Sequence, residues 1–507
     1  MTSSMIRGRP RRATSHISVR VAHTLVGAVA GVLWLLLPGT TVAHAERAPR
    51  PEARQEAAAT AADLVLPLAA VAAAVAVAGY VYLRRARRAR TRTAPVGASV
   101  RPSAPPPLGE LDERARARLV TADDCVRTSR EELAFVTGRF GEDAVAPHAA
   151  VLADAAFELD SAFRLRQRYD DGVPAEEESR RHALAGIVGR CEEAGRRLDA
   201  GAAGVDQLRA LETDPTGALE IAETRFRALA GRTQTVDALL TALGERYASG
   251  ALASVVGHPE QARDRLVFAG LRLNQARQAV DLADNERSAP HLRAAEGAVA
   301  QAAVFLDGVE RLGRDLGSAA ALLPAALTGA EALLAQVPRE VVGEPRARVL
   351  HADGVLAVVR DETTRGPHDP LDALRRVVTA LTPLAAEPSA GVLGAAALLV
   401  GRDAVAGADG FIGVHRGAVG AAARTRLAEA VRLLDTDPVG AGTLARAARD
   451  LAERDVRAHG NPLAGAAGHE SGTAGALLGG ILLPDGAAAS FGGPHARSRR
   501  KTPQNPS

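Results

Sequence analysis

Of the 507 residues 47% are hydrophobic but only 3% aromatic, so alanine, leucine and valine supply most of the apolar surface, which disfavours strands and favours helices. The single lysine, Lys501, lies outside the body of the chain, which excludes a P-loop, a Schiff-base enzyme and a protein kinase, each of which needs one there. The formal charge is +3, but residues 1–92 carry +10 and residues 493–507 carry +4, which leaves about −11 on residues 93–492 and argues against a nucleic-acid partner.

Residues 1–45 read as a signal peptide. Arg7, Arg9, Arg11, Arg12 and Arg20 precede an apolar run at 25–37, and Ala43-His44-Ala45 supplies a small-x-small cleavage site. The alternative is an uncleaved segment kept as a second transmembrane helix. A short exported segment, 46–62, follows. Residues 63–83 are expected to form a transmembrane helix: positions 64–83 carry no charge and end in Tyr80 and Tyr82. Arg84, Arg85, Arg87, Arg88, Arg90 and Arg92 come next, and the positive-inside rule keeps them cytoplasmic. The expected topology is single-pass in the cell membrane, with the large C-terminal region in the cytoplasm. Residues 84–108 form the arginine-rich stop-transfer segment and a proline-rich linker.

Residues 109–459 are expected to be an all-α array, an elongated bundle of about ten helices built from antiparallel coiled-coil hairpins. Ala262, Leu266, Ala269, Leu273, Ala276, Val280 and Ala283 step by four and three. After a turn placed at 285–290, Leu292, Ala295, Val299, Ala302, Leu306 and Val309 step likewise. Leu273 and Leu306 should therefore both be buried on the facing seams, whereas Leu271 and Leu282 lie off the seam. Asp214-Pro215, Asp369-Pro370 and Asp437-Pro438 each pair a capping aspartate with a proline suited to a first helical turn. A weaker joint is expected within 324–345. Residues 460–507, rich in glycine and alanine, read as a disordered tail.

Chemistry is sparse in this pattern. Cys125 and Cys191 fall in helical segments without a CxxC and read as structural thiols. The thirteen histidines include no HExxH, and the acidic run Glu176-Glu177-Glu178 reads as a solvated helix face. No GxSxG or GxGxxG occurs. No catalytic, cofactor-binding or metal-ligating residue is assigned, and no cofactor is expected.

Several stretches carry a family resemblance. They are Phe163-Arg164-Leu165-Arg166-Gln167, Asp264-Arg265-Leu266-Val267-Phe268-Ala269, Leu273-Asn274-Gln275-Ala276-Arg277-Gln278-Ala279, and Leu292-Arg293-Ala294-Ala295-Glu296-Gly297-Ala298. Arg416-Gly417-Ala418-Val419-Gly420, the run Ala423-Arg424-Thr425-Arg426-Leu427-Ala428-Glu429-Ala430, and Ser490-Phe491-Gly492-Gly493 complete the set. Together they resemble the helical C-terminal region of actinobacterial TPM-domain membrane proteins. That resemblance implies a signal peptide, an exported TPM domain, one transmembrane helix and this helical region, with acid phosphatase activity in some members. Here only residues 46–62 stand where the family places a whole α/β domain, so no phosphatase residue carries over. The expectation is a non-enzymatic, membrane-anchored helical scaffold or interaction protein that meets a protein partner or self-associates through its cytoplasmic helices. The alternatives are a lipid-contacting membrane-stress coiled coil and a diverged relative of TPM-type phosphatases.

Overall fold

A computed structural model describes residues 106–338, 342–384, 391–459, 471–482 and 488–501. The signal peptide, the exported segment, the transmembrane helix and most of the linker lie outside the described residues. Thirteen helices occur among the described residues, with no strand, as the alanine- and leucine-rich composition requires.

The first two helices, α1 (Leu108–Asp170) and α2 (Glu177–Arg209), pack along each other. Gly141 bends α1: its φ of 81° is open to glycine and strained for other residues. Next come α3 (Thr216–Arg246), the short α4 (Ser249–Leu252), α5 (His258–Asp281) and α6 (Asn285–Ala335). Then follow α7 (Glu344–Arg365), α8 (Pro370–Leu381), α9 (Gly391–Val414), α10 (Ala421–Leu433) and α11 (Pro438–His459). Two short helices, α12 (Ser471–Leu478) and α13 (Pro494–Lys501), complete the set. At the centre is α6, which touches α1, α3, α5, α7, α8 and α9.

The three Asp-Pro signals each start a helix. The Asp214, Asp369 and Asp437 carboxylates accept the backbone N–H of Thr216 (3.3 Å), Asp372 (3.0 Å) and Gly440 (2.9 Å). The α5/α6 pair is antiparallel, and its seam is buried as the spacing predicts from Ala262 to Ala276 and from Leu292 to Val309, while Val280 is half-buried and Ala283 exposed. Leu273 is 4% exposed and Leu306 fully buried, whereas Leu271 is 52% and Leu282 79% exposed. Leu273→Ala should therefore cost about 2–5 kcal/mol, and Leu271→Ala no more than about 0.5 kcal/mol. Urea melts of the two variants check this, and equal midpoints would overturn the register.

The structure corrects or narrows three expectations. The turn between α5 and α6 lies at 282–284, not 285–290. Asp284 accepts the Arg287 N–H (3.1 Å) and so starts α6 ahead of Pro290, while Ala283 takes a left-handed φ of 58°. The joint expected within 324–345 falls between Ala335, where α6 ends, and Glu344, where α7 begins, and not at Pro324. Leu323, Ala326 and Ala330 are all buried, and this packing carries α6 past the missing hydrogen bond to Ala335. The third concerns the tail: residues 471–482 and 488–501 are ordered, with Phe491, Ala476 and Ile481 buried against the helices.

By length and composition α6 and α9 are long and apolar enough to cross a membrane. Both also bury a face against neighbouring helices, and both carry ion-paired residues: Arg293, Glu296 and Arg311 on α6, Asp403 and Asp409 on α9. An alanine-rich central helix needs this composition to be covered on several sides.

Candidate functional site

Burying a charge is tolerable only when it is paired and hydrogen-bonded, so interior arginines show where the fold is most constrained. Arg209 of α2 is 3% exposed. Its guanidinium donates to Glu132 Oε1 of α1 (2.6 Å) and to both oxygens of Glu296 on α6 (2.7 and 2.9 Å). Arg293 adds longer contacts to Glu132 (3.5 Å) and Asp206 (3.3 Å). The other Glu132 oxygen accepts the backbone N–H of Phe491. Burial opposes ionisation of Glu132, but Arg209, Arg293, the Phe491 N–H and Arg500 outweigh it and hold the carboxyl at about 2.

The segment around Phe491 is a strap across α1 and α2. Phe491 is fully buried, and the Gly492 N–H donates to Ser129 Oγ (3.2 Å). Gly492 has φ 127°, and a Cβ on Gly493 would lie 2.1 Å from the Gly195 carbonyl oxygen, so both positions demand glycine. Arg500 returns to the Phe491 carbonyl (2.8 Å) and to Asp206, while Asp199 accepts the N–H groups of His495 (3.3 Å) and Ala496 (2.8 Å) at the start of α13.

A second network joins α1 to the segment after α9. Arg424, 2% exposed, donates to Asp123 and Asp124 (both 2.6 Å) and to the Val419 carbonyl (3.1 Å). Arg416 makes a two-pronged contact with Glu131 (2.5 and 2.9 Å).

Beside this network lies a cavity of about 880 Å³, walled by α1, the start of α5, α6, α9 and α11. Every carboxylate in its wall is engaged by an arginine. Glu131 meets Arg416, Asp409 meets Arg127 (2.9 Å), and Asp307 and Glu310 both meet Arg232 (2.6 and 2.9 Å). Arg449 lies 3.9 Å over the Phe411 ring and pairs with Glu453 (2.7 Å). Arg130 and Arg314 also line the cavity, are exposed, and make no ion pair among the described residues. Gln301 is buried; its Oε1 accepts from Arg265 Nε (3.1 Å), and its Nε2 has no partner.

Two histidines complete the wall. Burial pushes His258 down to about 4, opposed by a hydrogen bond to the Phe305 carbonyl and helped by Arg449, Arg311 and His415. Burial likewise holds His415 at about 4, helped by Arg265 and Arg449 and opposed by the Phe411 carbonyl and Glu453. Both imidazoles are neutral at pH 7. The surroundings are electropositive and rich in donors, which suits an anion. Among the described residues no group of three or more His, Cys, Asp or Glu could hold a metal ion. Cys125 and Cys191 are buried and free, and burial raises the Cys191 thiol to about 12, so neither is a reactive thiolate. Glu176, Glu177 and Glu178 are exposed at the start of α2.

No family model matches the chain, and no solved structure matches it. Two curated proteins do: the UPF0603 protein MT2410 of Mycobacterium tuberculosis strain CDC 1551 / Oshkosh and the UPF0603 protein Rv2345 of strain ATCC 25618 / H37Rv. Each is 30% identical over 414 residues, covering 75% of this chain and 62% of the relative. The chain is homologous to these actinobacterial UPF0603 proteins. It spans less than two thirds of their length. Of the buried arginines, Arg166, Arg265, Arg416 and Arg424 fall inside the stretches that carried the resemblance, and Arg209 falls outside them. The cavity residues Arg130, His258, Arg314 and Arg449 lie outside them, and no sequence signal singled them out.

Proposed function

We propose that the chain is a membrane-anchored helical scaffold, the helical region of a TPM-type membrane protein, held at the bilayer by residues 64–83 with its body in the cytoplasm. The observation that carries the scaffold reading is the commitment of the interior carboxylates. Asp123, Glu132 and Glu296 are each engaged by arginine from another helix, which fixes the helices against one another. The motifs shared with TPM-type proteins and the homology to UPF0603 proteins support the family reading. So does the length of the relatives beyond the aligned part, which leaves room for a further domain.

In cells the full chain should stay with membranes after alkaline carbonate extraction, and deletion of residues 64–83 should release it. A reporter active only in the cytoplasm, fused after residue 459, should give signal. Release of the intact chain by carbonate, or signal from an exported reporter at that point, would overturn the anchored topology. Phosphate-ester turnover by the purified chain, abolished by one substitution, would replace the scaffold reading with the enzymatic one.

A further inference from the structure

We propose that the polar cavity and an apolar slot beside it form one site for a single-chain amphiphile, its anionic head in the cavity and its hydrocarbon tail in the slot. The slot, of about 440 Å³, lies between α1, α3 and α6. Ala134, Phe135, Leu229, Val299, Ala300 and Ala303 give it an apolar lining. Arg130 and Glu131 belong to both walls, and Arg232 of the slot pairs with Asp307 and Glu310 of the cavity, so the two spaces meet along that ridge. Both volumes fall in the range of small-ligand sites, roughly 300–1,000 Å³.

The charge pattern selects the head. The cavity's carboxylates are all taken by arginines, which leaves nothing to hold a cation. Arg130 and Arg314 are uncommitted, while Arg225 at the slot covers the Phe135 ring at 4.3 Å, donates to the Ala134 carbonyl (2.8 Å) and has no carboxylate within ion-pair distance among the described residues. The N-terminus of α5 opens on the same space at Gly257 and His258, with no side chain capping it. A phosphate or carboxylate would supply the acceptors that these donors lack. An alkyl chain running past Arg130 would cover Leu229, Ala300 and Ala303.

The test uses the full chain in nanodiscs of zwitterionic phosphatidylcholine, with empty discs as blank and equilibrium dialysis as the measurement. The probes are octyl phosphate, inorganic phosphate and octyltrimethylammonium. Octyl phosphate should bind at least about tenfold more tightly than inorganic phosphate, and the cationic amphiphile should not bind. Arg130→Ala combined with Arg314→Ala should weaken both phosphate ligands about tenfold. Both residues are exposed, so the fold should tolerate their loss. Ala303→Phe should abolish the advantage of the octyl chain and leave inorganic phosphate unchanged. Ala300→Phe replaces it if melting shows that the first variant does not fold. Equal binding of octyl and inorganic phosphate would mean a head-only site and would overturn the proposal, as would binding of octyltrimethylammonium or no binding at all.

Discussion

Glu132→Ala is expected to lose about 3–5 kcal/mol of folding stability, because it strips a buried arginine of one partner without removing the charge. Arg209 would keep only Glu296, and the Phe491 N–H would lose its acceptor inside the protein. The loss should appear twice: in the urea midpoint of the fragment Ser103–Ser507, and in limited trypsin cleavage at Arg497 or Arg499, because the strap would no longer be held. Glu132→Gln keeps an acceptor for the Phe491 N–H but not the charge, and should fall between the two. An unchanged midpoint with the strap still protected would show that Glu132 does not organise this interior.

Acidification is expected to destabilise the helical unit well above the usual carboxylate range. In the unfolded chain His258 and His415 take up a proton near 6.5; in the folded protein each stays neutral down to about 4. The unfolded state therefore binds more protons between those values, and stability falls as pH drops from 6.5 to 4, by on the order of 3 kcal/mol per histidine at most. Glu132 acts in the next window down. Its contribution is complete above 4.5 and is lost as pH falls through about 2. Denaturant midpoints measured from pH 7.5 to pH 4.5 should slope downward, and His258→Asn with His415→Asn should flatten the upper part. A midpoint that holds steady from pH 7 to pH 5 would show that both rings are solvated and that the cavity wall is differently built.

The helices and the α5/α6 seam were legible because alanine and leucine at heptad spacing report their own burial: Leu273 and Leu306 go inside and Leu271 stays out. Asp369 and Asp437 were legible for a local reason, since a cap bonds three residues ahead in the same segment. The buried charges were not. Arginine ordinarily reads as a surface residue, and the pairs that bury it lie far apart in sequence, Arg209 with Glu132 and Glu296, Arg424 with Asp123. Nothing local marks Arg424 as interior and Arg426 as not. Ordering of the tail was missed for the same reason: Ser490-Phe491-Gly492-Gly493 has no periodicity and takes its conformation from a groove made by α1 and α2. The cavity draws on five helices, so its composition could be assembled only after the fold was known.

The strap also sets an order of events during synthesis. Glu132 and Phe491 are 359 residues apart, so at ribosomal rates of roughly 5–20 residues per second the acceptor waits about 20–70 s for its donor. Over that interval α1 and α2 can pair along their length, but the Phe491 niche between them stays open to solvent and to any other aromatic segment within reach. Every nascent copy of the protein therefore passes through a stage in which its first helical pair presents an unfilled groove, and the chain itself supplies the plug last.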